Sequence, residues 1–243
     1  MTTYIMKNYL LPLFLLCMLS TKAQDKNSGM AIKWGPLGLV TGNISLYGEY
    51  NFGKTSLTAK IGIPVKTHRT FQYDEKDAEF DMKATSFMAG YRIYLSKKHM
   101  RGFYFEPFFK YVHHSSEGRG RAVLDGDNVV MDFTNTYDGI GAGAQLGVQF
   151  LIAKRVVLDL YFLGPEINSS SNKFSAVETT DAIPWTSVEA SEAEQDIRDF
   201  IDDFPFIKNK VNIMVDRNNK TVTADFKGAL PGYRAGISIG IAF

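Results

Sequence analysis

The densest run of side chains capable of chemistry is His113-His114-Ser115-Ser116-Glu117. A serine becomes a nucleophile for hydrolysis or acyl transfer when a histidine lies in hydrogen-bond reach and a carboxylate orients that histidine. His113, His114, Ser116 and Glu117 supply all three residue types. Their spacing does not supply the geometry, because His114 and Ser116 share a face of a strand yet stand roughly 7 Å apart along it. The cluster therefore reads first as solvated residues at a strand end and second as a nucleophilic site. Asp125, Asp127 and Asn128 offer oxygen ligands to Ca²⁺, but they cover only part of a calcium-loop spacing. No cofactor and no metal is expected from any other pattern.

A second set of charges is spread through apolar alternation. Leu57, Ala59, Ile61, Ile63 and Val65 alternate with Thr58, Lys60, Gly62, Pro64 and Lys66. Phe103, Phe105, Pro107, Phe109 and Tyr111 oppose Glu106, Phe108 and Lys110, and Ala89, Tyr91, Ile93 and Leu95 oppose Gly90, Arg92 and Tyr94. Val156, Leu158, Leu160 and Phe162 oppose Asp159 and Tyr161, while Phe243, Ile241, Ile239, Ile237, Ala235 and Tyr233 oppose Ala242, Gly240, Ser238, Gly236 and Arg234. Strand side chains alternate between faces, so each segment has one apolar and one polar or small face. Eight such strands are expected, near 30–39, 43–52, 55–68, 81–96, 102–116, 136–152, 155–164 and 231–243. Apolar-out, polar-in segments of about ten residues are the signature of a membrane barrel.

Closing the strands places Glu49, Lys60, Arg92, Glu106, Lys110, Asp159 and Arg234 in the interior, with Gln145 and Gln149. Arg92 and Glu106 are equidistant from the centre of the 97–101 turn, so hairpin register sets them opposite one another. A buried charge is costly unless paired, and an eight-stranded barrel has an interior that side chains can fill. The interior set is thus expected to be an ion-pair network that plugs the lumen. A wide diffusion pore, which takes about 16 strands, is not expected. Tyr50, Phe52, Tyr91, Phe103, Phe105 and Phe150 lie near short turns on the outward parity, where membrane-interface aromatics belong.

The first 23 residues read as a secretory signal peptide: Lys7, an apolar run from Leu10 to Leu19, then Thr21 and Ala23 before a cut at Ala23/Gln24. Cleavage there removes Cys17, so no disulfide staples the exported chain. It also changes the formal charge from +1 to about −1, and no basic field points to nucleic acid. Residues 24–243 then form a single barrel domain. Short turns at 52–55, 97–101 and 152–155 fall on one end. The longer connections 69–80, 117–135 and 165–230 fall on the other, with 40–42 a short exception. Within 117–135, Asp125-Gly126 between β-formers predicts a hairpin that prolongs its strands. Within 165–230, a Ser191/Glu194 capping box and a stripe of Ile197, Phe200, Ile201 and Phe204 predict a helix ended by Pro205. A hairpin of 210–215 and 221–226 follows, and helix and hairpin together suggest a lid or binding surface in the last extracellular loop.

The terminal strand ending on Phe243 resembles that of bacterial outer-membrane barrels. Pro36-Leu37-Gly38-Leu39, Gly42-Asn43-Ile44-Ser45-Leu46 and Gly236-Ile237-Ser238-Ile239-Gly240 are similar to stretches of small eight-stranded outer-membrane proteins of unassigned function. The resemblance implies an all-β, eight-stranded, antiparallel, up-and-down transmembrane β-barrel in the cell outer membrane. Phe243 would be part of the signal read by the barrel-assembly machinery, and outer-membrane lipid and lipopolysaccharide would be the surroundings. The expected role is structural or surface-interacting, with 165–230 facing an unknown partner. Two alternatives stand beside it. One is a lipid A-modifying enzyme, since a deacylase with a His-Ser-Glu triad and a palmitoyl transferase with His, Asp and Ser at the rim use small barrels; His114 and Ser116 would be its candidates. The other is a periplasmic ligand-binding barrel, which would turn the same apolar faces inward.

Overall fold

The computed structural model describes residues 28–73, 76–96, 99–181 and 183–243. The expected signal peptide, residues 1–23 with the cut at Ala23/Gln24, lies outside the described residues. Eight strands close into one antiparallel ring: β1 (Ser28–Gly35), β2 (Asn43–Phe52), β3 (Thr55–Pro64), β5 (Lys76–Tyr94), β6 (Gly102–Leu124), β7 (Asp127–Ile152), β8 (Val156–Glu178) and β10 (Thr221–Ala242). The last strand pairs with the first, Trp34 opposite Ile239 and Ala31 opposite Ala242. A row of Cα partners from Lys33 passes Tyr47, Lys60, Met88, Lys110, Gly141 and Asn168 to Leu230. Lys33 itself pairs with Gly240, ten residues further along the same strand. That offset is the shear that tilts the strands and lets the sheet close.

Parity decides the faces as the alternation predicted. Tyr50, Phe52, Tyr91, Phe103, Phe105 and Phe150 are exposed on the outside, as are Leu57, Ile61, Phe109, Ile140, Ile239 and Ile241. Glu49, Arg92, Glu106 and Asp159 are buried inside. Apolar side chains thus face out and charged ones face in, the reverse of a ligand-binding barrel with an apolar interior. In β8 both Phe162 and Leu163 face out, at a bulge opposite the join of Leu146 and Gly147. The extra residue restores the inward parity of Glu166 and Asn168 above it.

Three long connections turn out to be strand. The stretch 69–80 folds as β4 (Thr67–Tyr73) paired with the start of β5. The stretch 117–135 is the upper part of β6 and β7, which run on to the Asp125-Gly126 turn, where Asp125 has φ 51 and Gly126 φ 84. The 165–230 segment is not a loop throughout, because β8 continues to Glu178 and β10 begins at Thr221. Only 179–220 departs from the ring sheet. The boundary was hidden because Ser169 to Ser175 lacks the apolar alternation. With solvent on the outer face of these extensions, pairing continues while the period-two hydrophobic signal disappears. Conversely the first strand stops at Gly35, where Pro36 opens a 3₁₀ turn (Pro36–Thr41) instead of running to 39.

The insertion holds α1 (Ser187–Asp202) and β9 (Val211–Asp216), which pairs with the start of β10. Its capping box is Thr186 with Glu189, not Ser191 with Glu194. Ser191 lies inside the helix, and Glu194 pairs with Arg198 one turn on. Ala190, Ala193 and Ile201 are the buried face, whereas Phe200 and Phe204 are exposed and touch each other. Leu124, Val129, Trp185, Ala190 and Ala193 form a small core that fixes α1 to the tips of β6 and β7, on the inward side of their extensions.

Candidate functional site

The interior is built in two levels. At the lower level Lys33 Nζ reaches Glu49 Oε2 at 2.9 Å, Asp159 Oδ2 at 2.7 Å and Gln149 Oε1 at 2.9 Å. Arg92 lies 2.7 Å from Glu106, 3.0 Å from Asp159 and 3.5 Å from Glu49, and donates to Gln149 Oε1 at 2.7 Å. Its guanidinium stacks 3.7 Å from the centre of the Tyr104 ring. The remaining carboxylate oxygen sites are taken by hydroxyls: Tyr94 and Ser56 on Glu49, Thr58 on Glu106, Tyr104 on Asp159. Two cations therefore face three carboxylates in a cluster with almost no solvent contact. Buried charges persist where partners and hydrogen bonds compensate their desolvation, as here. Beneath it, Met100 folds in from the turn against Ala31, Val157 and Ala242, and its carbonyl accepts from Gln149 Nε2 at 3.1 Å.

Sequence pairing of Arg92 with Glu106 is met in the structure, and Glu49 and Asp159 join them. Lys33 was missed. Its alternation with Ile32 and Trp34 carried the signal, obscured by the Gly35-Pro36 break in the same strand. Lys60, Lys110 and Arg234 do not belong to this cluster. They line an upper level, where each keeps partial exposure. Lys110 Nζ meets Glu166 at 2.5 Å; Glu166 lies past the expected strand end at 164, on the part of β8 that runs on to Glu178. Arg234 donates to Gln145 Oε1 at 2.9 Å and to Tyr47 Oη at 3.4 Å, and lies 4.8 Å from the centre of the Tyr161 ring. Tyr47 and Tyr161 share a hydrogen bond of 2.9 Å. Among the described residues neither Lys60 nor Arg234 has a carboxylate in ion-pair distance. Buried Glu166 Oε2, Asn168 Oδ1 and Ser86 Oγ likewise have no partner among the described residues.

Inward glycines make this filling possible. A Cβ on Gly147 would stand 2.3 Å from Tyr104 Oη, and one on Gly236 2.4 Å from Tyr161 Oη. The bare strands of β7 and β10 are thus where the tyrosines of neighbouring strands lie down.

At the rim, just above the apolar band, the His-Ser-Glu cluster is split between faces. His113 points outward and bonds Asp138 at 2.8 Å, with Tyr111 on the same carboxylate. That histidine bond holds the Asp138 carboxyl below its usual range. Glu117 is outward and lies 3.9 Å from Lys66. His114 and Ser116 are on the inner parity, and His114 stacks near Tyr137 at 6.2 Å. Burial, with His113, Lys110 and Lys60 nearby, pushes the His114 imidazole down from its ordinary pKa. No hydrogen bond links His114 to Ser116 among the described residues, and no oriented triad forms. No group of three potential metal ligands occurs among the described residues.

Higher still, Trp185 anchors the insertion. Its Nε1 donates to Glu178 at 2.5 Å, and Lys220 Nζ bridges Glu178 at 2.8 Å and Asp181 at 2.9 Å. Burial opposes the Lys220 charge, but the bonds to Asp181 and Glu178 prevail and raise its pKa.

No family model and no curated protein matches this chain. The chain is similar to a crystal structure of Acinetobacter baumannii CarO, with a TM-score of 0.41 and 11% identity over 90% of this chain and 100% of that one.

Proposed function

We propose that this protein is an outer-membrane β-barrel with a structural or surface-interacting role, its lumen plugged by the lower ion-pair cluster and its extracellular extensions serving as the binding surface. One observation carries the reading: a continuous belt of exposed apolar side chains surrounds a ring whose buried interior is charged. Exposed apolar surface on this scale is unfavourable in water and favourable in lipid. A closed ring leaves few backbone groups without partners there. The outer end is the one bearing the tall extensions and α1. Phe243 exchanges backbone hydrogen bonds with Met30 at 2.8 and 3.2 Å, so the terminal residue completes the ring closure. Outer-membrane lipid is the surrounding partner, and the assembly machinery would read the last strand. The acidic helix with exposed Phe200, together with Phe204 and Phe206 just beyond its end, is the surface most suited to a partner.

The test is fractionation with heat-modifiable migration. The protein is expected in outer membranes, cut near Gln24, with a folded band that shifts on boiling. Recovery in the soluble periplasm would end this reading.

A further inference from the structure

The wall of the ring is incomplete between β1 and β10. β10 pairs with β1 only over Ile239–Ala242 and with β9 only over Thr221–Phe226. Among the described residues no strand covers that edge from 227 to 238, because β1 ends at Gly35 and no ladder joins β10 to the 3₁₀ turn that follows. Its carbonyls at Leu39, Val40 and Gly42 accept from Thr67, Arg69, Val65 and Ala84, on the far side of β2. Ala242 N–H donates to Arg155 on the β8 side, whereas Phe243 N–H donates to Met30 on the β1 side. By parity the N–H and C=O groups of Ala229, Tyr233, Ala235 and Ile237 face the gap. Pro231 falls in the same series, so its missing donor lies on the free edge, where proline is tolerated in a sheet.

This notch lies at the upper part of the apolar belt. Leu37 and Leu39 flank it on one side and Tyr233 and Pro231 on the other, all exposed. An open strand edge in hydrocarbon leaves polar backbone groups without partners. Just inside stands the Arg234-Tyr47-Tyr161 group, which bridges β10 to β2 behind the end of β1. Above it lie Lys60 and Lys110, which flank Met88 in one register row. Among the described residues Lys110 alone of these three cations meets a carboxylate, Glu166, and all three are partly exposed on the inner side of the unpaired β10 edge.

We propose that this notch admits an anionic acyl-chain amphiphile from the outer leaflet. Its chain lies along Leu37, Leu39, Tyr233 and Pro231, and its headgroup meets Arg234, Lys60 and Lys110 on the inner side. Apolar surface outside and surplus positive charge inside, on the two sides of an unpaired strand edge, match the two ends of such a molecule. The closed lower cluster makes this a binding site and not a passage.

The inference rests on the outer-membrane reading, and the two fail differently: a soluble protein defeats that reading, while an inserted barrel without the site defeats only this one. The experiment titrates ¹³C-carboxyl palmitate into the full-length mature barrel in a neutral detergent, with labelled acetate and inorganic phosphate as chainless probes. Saturable palmitate binding is expected, weakened about tenfold or more by R234Q with K60Q, the scale of a lost charge-assisted hydrogen bond. R234K should retain it. Heat-modifiable migration checks each variant, and K60Q alone decides if the double variant does not fold. A palmitate analogue with a terminal photoreactive group should label 36–40 and 229–235. Acetate or phosphate binding as tightly as palmitate, labelling spread evenly round the belt, or indifference to R234Q with K60Q would each overturn the proposal.

Discussion

Removing Arg92 is the most informative perturbation of the interior. Arg92 and Lys33 are the two cations that meet Glu49, Glu106 and Asp159, and Glu106 has no other cation within 4.0 Å among the described residues. Arg92→Ala leaves three carboxylates around one lysine and also removes the stacking on Tyr104. Breaking a buried pair by deleting one partner costs about 3–5 kcal/mol, mainly because the other charge stays buried and uncompensated. Glu106→Gln should cost less. It leaves two carboxylates for two cations, and an amide oxygen can still accept from Thr58, so about 1–2 kcal/mol is expected from the lost charge-assisted bond. The double variant Arg92→Ala with Glu106→Gln should recover part of the Arg92→Ala loss. Urea unfolding in lipid vesicles, followed by the heat-modifiable band, measures all three. Additivity within about 0.5 kcal/mol would show that the pair is not coupled. An Arg92→Ala loss no larger than that of Glu106→Gln would refute the charge-count argument.

Replacing 179–220 by a short Gly/Ser link should leave a folded, membrane-inserted ring, since only β9 and the tip core depend on it; loss of the heat-shifted band would refute this. Thr186→Ala should fray α1 at a cost of about 1 kcal/mol, read by hydrogen exchange at Ala190 and Ala193. The Thr186 backbone bond and its hydroxyl hold the Glu189 carboxyl below its ordinary pKa, so this cap contributes above the unfolded-state value and is lost as pH falls through the folded one. Helix protection should accordingly drop on acidification in the parent and less in Glu189→Gln. His114→Ala and Ser116→Ala should leave lipid A unchanged by mass spectrometry; loss of a modification seen with the parent would establish the enzyme.

How much of this was legible in the chain depends on where solvent, lipid and protein meet. Wherever one face of a strand is apolar and the other is not, parity alone assigned the faces, as in 55–63, 102–111 and 233–242. The Arg92–Glu106 pairing followed from turn symmetry, because hairpin register is local. The extensions past Tyr111, Ile140 and Ile167 carry no such contrast, so their pairing became visible only when neighbouring strands were aligned. The helix had two Ser/Thr-x-x-Glu signals, at Thr186 and Ser191. Trp185, held by Glu178 and Arg217, decided between them. Which charges neutralise one another also needed the tertiary structure. Strand tilt and the β8 bulge carry Lys110 to Glu166 and leave Arg234 and Lys60 without a carboxylate in ion-pair distance among the described residues, offsets that no single strand encodes. The notch is of the same kind. Pro36 and Pro231 each lack a ladder donor, but only ring closure with a ten-residue shear brings the end of β1 beside the bare edge of β10.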